Sequence, residues 1–193
     1  MLTRLYERTM ALAGSRHAFV ALGGVSFAES SFFPIPPDVM LIPMVLADRS
    51  KAWFYATLAT ISSVIGGVAG YAIGYFVLES IGKPILKFYG KADALGPIKT
   101  LFQDYGVEIL LIKGMTPIPY KVLTISAGVA EMNLVAFVLA SIGARAMRFF
   151  LVAALLYWFG EPIKTFIERR LMLVTTVGAV LLIGGFVALK FLF

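Results

Sequence analysis

Residues 52–78 form a run of 27 amino acids without one charged side chain. As an α-helix rising 1.5 Å per residue, this run would be about 40 Å long, enough to cross the hydrocarbon core of a bilayer with some tilt. Sixty per cent of the chain is hydrophobic and only 15% is charged. A soluble domain of 193 residues cannot bury so much apolar side chain. The sequence therefore predicts an all-α integral membrane protein.

Two further stretches are predicted to span the membrane. Residues 171–189 carry no charge, whereas residues 133–160 are long and apolar but contain Arg145 and Arg148. A charged side chain at the centre of a bilayer costs at least about 2.5 kcal/mol. The two arginines are therefore expected to face protein or water rather than lipid.

Two other apolar stretches, residues 18–47 and 106–130, are broken by prolines and charges. The first is interrupted by Glu29, Pro34, Pro36, Pro37, Asp38 and Pro43, and the second by Lys113, Gly114, Pro117, Pro119 and Lys121. Proline removes a helix hydrogen bond, and broken backbone survives at membrane depth only where protein or a wet cavity covers it. Each stretch is therefore predicted to be a re-entrant hairpin, with tips at Pro34–Pro36 and Pro117–Pro119.

The two broken stretches belong to an internal repeat with an offset of 83 residues. Pro34-Ile-Pro returns as Pro117-Ile-Pro, and residues 34–54 match residues 117–137 at seven of 21 positions. Because a re-entrant hairpin makes no net crossing and the following helix makes one, repeat 2 (106–160) would be inverted relative to repeat 1 (18–82). Inverted repeats with broken helices are typical of secondary transporters. The alternative is a chance recurrence of Pro-x-Pro.

The segments outside the repeats have the pattern of interfacial helices. Residues 1–17 and the linker 83–105 mix apolar and charged side chains, and Ile98, Leu101, Phe102 and Tyr105 fall on one helix face. The whole chain, residues 1–193, is then one membrane domain. Lys and Arg number eight on the side of the N-terminus and five on the other, which favours a cytoplasmic N-terminus.

Several motifs resemble those of the DedA family, which belongs to the SNARE-associated Golgi or VTT-domain membrane proteins. They are Glu29-Ser-Ser-Phe-Phe-Pro-Ile-Pro36, Gly128-x-x-x-Met132-x-x-x-x-Phe137, and, as in the YqaA-like branch, Lys113 to Val122 with Gly143-Ala-Arg-Ala-Met-Arg-Phe149. The resemblance implies two opposed re-entrant hairpins. It also implies transport of undecaprenyl phosphate or scrambling of phospholipids, in some members driven by a proton or sodium gradient.

The second proline loop departs from the commoner family pattern. That pattern has arginines three residues before and after the first proline, where this chain has Gly114 and Tyr120. Its basic residues, Lys113 and Lys121, lie one position further out. Because lysine is a point charge and not a bidentate fork, the departure bears on the identity of the substrate.

Six of the charged residues within the predicted intramembrane stretches are candidates for chemistry. Glu29 and Asp38 are candidates for proton or ion coupling, and Arg145, Arg148, Lys113 and Lys121 are candidates for binding an anionic group. Arg145 and Arg148 are expected to bind one phosphate together, since residues three apart share a helix face. Glu29 is expected to lie among Phe27, Phe32 and Phe33. Such apolar neighbours would favour the protonated form of its carboxyl group. The alternative is structural ion pairing, with Asp38 facing Lys121 and Glu29 facing an arginine.

Gly66, Gly70 and Gly74 recur every four residues and predict a close helix contact, either within the chain or in a homodimer. Cysteine is absent and histidine occurs once, so no metal site, cofactor or Cys nucleophile is expected. Basic residues are assigned to lipid headgroups rather than to nucleic acid.

The leading hypothesis is a multi-pass protein of the cell (inner) membrane that transports or flips an anionic lipid, coupled to an ion gradient. The alternatives are an ion-coupled carrier of a small soluble anion and a non-transporting membrane scaffold. An enzyme acting on lipid phosphate is disfavoured because no nucleophile–base pair is visible in the sequence.

Overall fold

The computed structural model describes residues 17–33, 35–88, 95–114 and 119–169, which form helices and turns without a strand. Arg49–Ser80 and Leu134–Gly160 are long and apolar enough to cross a membrane. The prediction of an all-helical chain is confirmed, and these two helices coincide with two of the predicted spans. The predicted interfacial helix at residues 1–17, except its last residue, and the predicted span at residues 171–189 lie outside the described residues.

Seven α-helices and two short irregular turns make up the described chain. They are α1 (Ala18–Ser31), α2 (Asp38–Ala47), a 3-10 turn (Arg49–Lys51), α3 (Ala52–Val77), a π-helical turn (Leu78–Gly82), α4 (Lys83–Phe88), α5 (Gly96–Gly114), α6 (Tyr120–Val129) and α7 (Leu134–Arg169). Pro37 and Pro119 immediately precede α2 and α6. Proline is common at such positions, because the first N–H groups of a helix have no partner within the helix and proline lacks that N–H.

The two long helices, α3 and α7, lie side by side and run in opposite directions. Three contacts in order along α3 establish this: Trp53 with Tyr157, Ser63 with Arg145, and Tyr71 with Phe137. The start of α3 is therefore next to the later part of α7, and the end of α3 is next to the start of α7.

Helices α1 and α2 form a hairpin beside α3. Helix α1 runs in the same direction as α3, because Phe27 lies against Gly66 and Ser30, one turn later, lies against Gly70. Helix α2 then returns to the start of α3 through the turn at Asp48–Lys51, which we call turn 1. The end of α1, where the helix breaks, thus lies beside the central part of α3.

Helices α5 and α6 form a second hairpin, arranged along α7 as the first is along α3. Helix α5 runs in the same direction as α7, because Gly106 faces Met132 and Gly114 faces Ala144. Helix α6 returns to the start of α7 through residues Ala130–Asn133, which we call turn 2. The second hairpin therefore starts from the opposite end of the α3–α7 pair.

The linker helix differs from the predicted division of the chain. Helix α5 is continuous from Gly96 to Gly114, so the expected boundary between residues 105 and 106 falls inside a helix. Of the predicted apolar face, Phe102 is buried in the core, whereas Ile98, Leu101 and Tyr105 are exposed. This exposed apolar face is what a helix in contact with lipid would present.

The glycines of α3 allow backbone to contact backbone within the chain. A β-carbon added to Gly66 would lie 2.2 Å from the carbonyl oxygen of Phe27 on α1, and one on Gly74 would lie 2.1 Å from that of Ile125 on α6. At Gly70 the nearest atom would be the hydroxyl oxygen of Thr124, at 2.4 Å. Gly66, Gly70 and Gly74 therefore make the contact within the chain that was one of the two predicted alternatives.

Candidate functional site

The end of α1 meets the start of α6 between α3 and α7. The backbone N–H of Tyr120, the first residue of α6, donates to Oε1 of Glu29 near the end of α1, at 3.0 Å. Nζ of Lys121 donates to the carbonyl oxygen of Phe32 at 3.3 Å. Two of the four predicted tip residues, Pro34 and Pro117, lie outside the described residues, as do residues 115, 116 and 118. The other two, Pro36 and Pro119, lie just before α2 and α6.

Glu29 and Arg145 form an ion pair in the interior. Their closest atoms, Oε2 and Nη2, are 2.9 Å apart, and the side chains are only 9% and 3% exposed. The position follows from helical periodicity, since Ser26, Glu29 and Ser30 fall on one face of α1 and all three are buried. Burying two charges is costly unless they are paired and their other polar atoms are hydrogen-bonded, and this pair has such partners.

Hydroxyl groups connect the same two charges by a second path. Nε of Arg145 donates to Oγ of Ser63 at 2.6 Å, Ser63 and Ser30 share a hydrogen bond of 2.5 Å, and Ser30 lies 3.2 Å from Oε2 of Glu29. A guanidinium only donates and an ionised carboxylate only accepts. Each hydroxyl has one proton, so Ser63 donates to Ser30 and Ser30 donates to Glu29. Together with the direct ion pair, these bonds close a ring.

Aromatic rings enclose the guanidinium of Arg145. Its central carbon, Cζ, lies 4.6 Å from the ring centre of Tyr120 and 4.7 Å from that of Phe149. The hydroxyl of Tyr120 donates to Oγ of Ser141 at 2.8 Å, which fixes the ring. A guanidinium over an aromatic face gains about 0.5–2 kcal/mol. Arg145 is thus held by a carboxylate, a hydroxyl and two rings.

Asp38 and Arg148 form a second ion pair, closer to the surface. Oδ2 of Asp38, the first residue of α2, lies 2.5 Å from Nη2 of Arg148, and the side chains are 19% and 23% exposed. Oδ1 of Asp38 is buried and has no hydrogen-bond partner among the described residues. The expectation that Asp38 faces Lys121 is therefore wrong, because Arg148 occupies that carboxylate.

Other expectations about the charged residues also need correction. Each arginine pairs with its own carboxylate, and the joint binding of one phosphate by Arg145 and Arg148 stays a prediction. Phe32 and Phe33 are exposed rather than packed around Glu29. Lys113 is exposed near the end of α5. Within the described part of the chain, no group of three His, Asp or Glu residues could hold a metal ion.

The hydroxyls of Ser30 and Ser63 and the residue Tyr120 were not among the residues expected from the sequence. A serine on a transmembrane helix usually bonds to its own helix backbone, so its presence alone indicates no site. The available signal was the i, i+3, i+4 spacing of Ser26, Glu29 and Ser30, which places polar side chains on one face.

Comparison with known proteins identifies the family of this chain. The VTT domain model matches residues 35–158. An uncharacterized protein of Haemophilus influenzae is 38% identical over 186 residues, covering 96% of both chains. An "Uncharacterized protein HI0703 homolog" of Histophilus somni is 35% identical over 157 residues, which cover 81% of this chain and 82% of the relative. No solved structure matches significantly. The predicted resemblance is confirmed: the chain belongs to the VTT-domain family of membrane proteins, the DedA family.

Proposed function

We propose that this protein is an ion-coupled transporter or flippase of an anionic lipid, such as undecaprenyl phosphate or a phospholipid. It would act as a multi-pass protein in the cell (inner) membrane. The main support is the environment of Glu29. Its carboxylate accepts hydrogen bonds from three donors: the first N–H of α6, the guanidinium of Arg145 and the hydroxyl of Ser30. Donors of this kind also bind phosphate.

The arrangement of the hairpins supports the transport proposal. In this proposal α1–α2 and α5–α6 are re-entrant hairpins that enter the bilayer from opposite faces and meet beside α3 and α7. The chain would then consist of two inverted repeats. Secondary transporters place substrate and ion sites where broken helices meet near the bilayer midplane. The Glu29–Arg145 pair, which lies where the end of α1 contacts the start of α6, supports such a site.

The two ion pairs provide the basis for coupling. Glu29 neutralises Arg145 and Asp38 neutralises Arg148, so an incoming anion must compete with a carboxylate of the protein itself. Protonation of a carboxylate removes that competition and leaves an unpaired arginine for the anion. We assign the entry step to Arg148 and Asp38, because that pair is partly exposed, and the deeper step to Arg145 and Glu29.

Reconstituted liposomes test the proposal. The protein would be assayed with labelled undecaprenyl phosphate and labelled phospholipids, with and without a pH gradient. Glu29→Gln keeps an acceptor for the α6 N–H but cannot take up a proton in the same way. We expect Glu29→Gln to abolish the response to the gradient. The matched control is Glu108→Gln, because Glu108 is an exposed acid on α5.

The other outcomes point to the alternative functions. Uptake of inorganic phosphate without lipid movement would indicate a carrier of small soluble anions. Absence of any transport, together with normal cell growth when the charges of Glu29 and Arg145 are exchanged, would indicate a scaffold. Normal, gradient-sensitive lipid transport by Glu29→Gln would refute the role of Glu29 in coupling.

A further inference from the structure

The two long helices end in a shared sequence motif. Gly82-Lys-Pro-Ile85 follows α3, and Gly160-Glu-Pro-Ile163 lies within α7, an offset of 78 residues. Proline has no N–H and clashes with the carbonyl group four residues earlier, so the helix before it must distort. The distortions are the π-helical turn at Leu78–Gly82 and, in α7, the non-helical backbone of Phe159 (φ −112°, ψ 17°).

Each Gly-x-Pro segment contacts the turn of the opposite unit. Lys83 lies 3.0 Å from Oε1 of Glu131 in turn 2, and Lys99 of α5 lies 2.7 Å from Oε2 of the same residue. At the other end of the bundle, Arg49 of turn 1 lies over Gly160. A β-carbon on Gly160 would be 2.7 Å from Nε of Arg49. These two contacts join the units α1–α3 and α5–α7 at opposite ends of the α3–α7 pair.

Glu131 lies at a backbone position that favours glycine. Its φ is 55°, the only positive value for a non-glycine residue in the described part of the chain. The N–H groups of Glu131 and Met132 donate to the carbonyl oxygens of Gly128 and Ala127, which is the Schellman pattern that ends a helix. Left-handed backbone is unfavourable for a residue that has a β-carbon. A carboxylate held at such a position points to a role for the charge itself.

The contact at Glu131 is suited to opening and closing. Lys83 is 43% exposed and Glu131 is 30% exposed, and Oε1 of Glu131, although buried, has no hydrogen bond of good geometry, so its attraction to Lys83 is weak. The Glu29–Arg145 ring is buried and lies near the middle of the bundle. A contact that is weak, exposed and at the end of the bundle can break without disrupting the interior.

We propose that the Glu131–Lys83 and Arg49–Gly160 contacts are paired latches, each of which closes one end of the α3–α7 interface. This inference rests on the proposed transport function, in which the two units move relative to each other. Opening one end requires release of the latch at that end. Glu131 is thus a positioning residue that acts through Lys83 and Lys99.

Cross-linking tests whether the latch must open. The chain has no cysteine, so Lys83→Cys with Glu131→Cys gives a unique thiol pair. A short, reducible thiol cross-linker between them should abolish lipid transport, and reduction should restore it. The control pair is Glu79→Cys with Lys83→Cys, four residues apart on one helical segment. We expect its cross-link to leave transport unchanged. Transport at the uncross-linked rate with residues 83 and 131 joined would overturn the proposal.

A distance measurement tests the latch independently of transport. Spin labels at Phe76 on α3 and Val135 on α7, both exposed, report the separation of the units at this end. We expect one narrow distance distribution at low salt. High salt or Glu131→Gln, which keeps the backbone and side-chain length, should add a population at longer distance. An unchanged distribution in a folded Glu131→Gln protein would refute the latch even if the protein transports no lipid.

Discussion

Glu29 of the first hairpin accepts the first backbone N–H of the returning helix of the second hairpin, that of Tyr120, at 3.0 Å. An acidic side chain near a helix N-terminus is stabilised by the backbone dipoles and by the free N–H groups there. The same carboxylate neutralises Arg145. Glu29 therefore links three helices that are distant in sequence, and its replacement should affect both stability and transport.

Removing one member of the buried pair should destabilise the protein strongly. Glu29→Ala leaves the guanidinium of Arg145 buried without its counter-charge, at a cost of about 3–5 kcal/mol. Replacing both residues, by Glu29→Leu with Arg145→Met, should cost less than the sum of the single changes. Thermal unfolding in detergent micelles measures this. Additive losses would show that the two side chains do not depend on each other.

The Asp38–Arg148 ion pair should matter less for stability than the Glu29–Arg145 pair and more for transport. Arg148→Ala should lower the unfolding temperature less than Arg145→Ala, because Arg148 is 23% exposed and can be hydrated. Arg148→Lys keeps the charge but loses the forked donors. We expect it to slow lipid transport while the unfolding temperature stays near that of the parent protein. Equal loss of stability in Arg148→Lys and Arg145→Ala would contradict this division.

Alanine at the close-packed glycines should be poorly tolerated. In Gly74→Ala the new methyl group would meet the carbonyl oxygen of Ile125 at 2.1 Å, and in Gly128→Ala that of Tyr71 at 2.0 Å. Backbone atoms cannot move aside as a flexible side chain can, so the helices must separate. Both variants should show reduced folded yield and a lower unfolding temperature.

Gly24→Ala is the matched control for the glycine series. Gly24 lies on α1, and a β-carbon there would meet nothing within 4 Å. Alanine in an open helical position stabilises by about 0.5–1 kcal/mol relative to glycine. We therefore expect Gly24→Ala to match or exceed the parent protein in unfolding temperature. A loss as large as that of Gly74→Ala would mean that helix packing is not the cause.

The latch residue Glu131 should contribute to stability in a pH-dependent way. The ammonium groups of Lys99 and then Lys83 beside it hold the pKa of its carboxyl below the usual value. A lowered folded-state pKa gives stability that is complete above the unfolded-state pKa, about 4.3, and is lost as pH falls through the folded-state pKa. Unfolding temperatures of the parent protein and Glu131→Gln should therefore differ constantly from neutral pH to about pH 5 and converge in stronger acid. A difference that persists there would indicate another cause.

The long helices and the helix breaks could be predicted because local chemistry determines them. A charge-free run as long as residues 52–78 has few alternatives to a spanning helix, and prolines such as Pro37 and Pro119 interrupt helices wherever they occur. The pairing of charges could not be predicted in the same way. Glu29 pairs with Arg145, and Asp38 with Arg148, only because α7 runs antiparallel to α3 and brings the arginines to the two hairpins. The sequence separation between those partners exceeds 100 residues.

Other features are present in the sequence, but nothing in the local sequence indicates that they belong to a site. Gly-x-Pro-Ile occurs twice, but glycine and proline are common at the ends of helices. The motif gains a further meaning only from the turn that it contacts in the structure. The hydroxyls of Ser30 and Ser63 acquire their role only when three helices meet. The assignment of Phe32 and Phe33 to the interior was wrong for the opposite reason: in a membrane protein, large apolar side chains are as stable facing lipid as facing protein.

The hydrogen-bonded ring from Arg145 through Ser63 and Ser30 to Glu29 has a fixed polarity, with consequences for the path of a proton. A hydroxyl chain conducts protons only if the group at its far end can release one. Here that group is a guanidinium, which stays protonated at any physiological pH. The ring therefore acts as an insulator, and a proton that reaches Glu29 must arrive from the side of the two helix breaks, at Oε1. Oε1 has a second lone pair beside the N–H of Tyr120, so a proton would add there without displacing that N–H, and neutralising the carboxylate would weaken the cap on α6 while leaving its hydrogen bond in place.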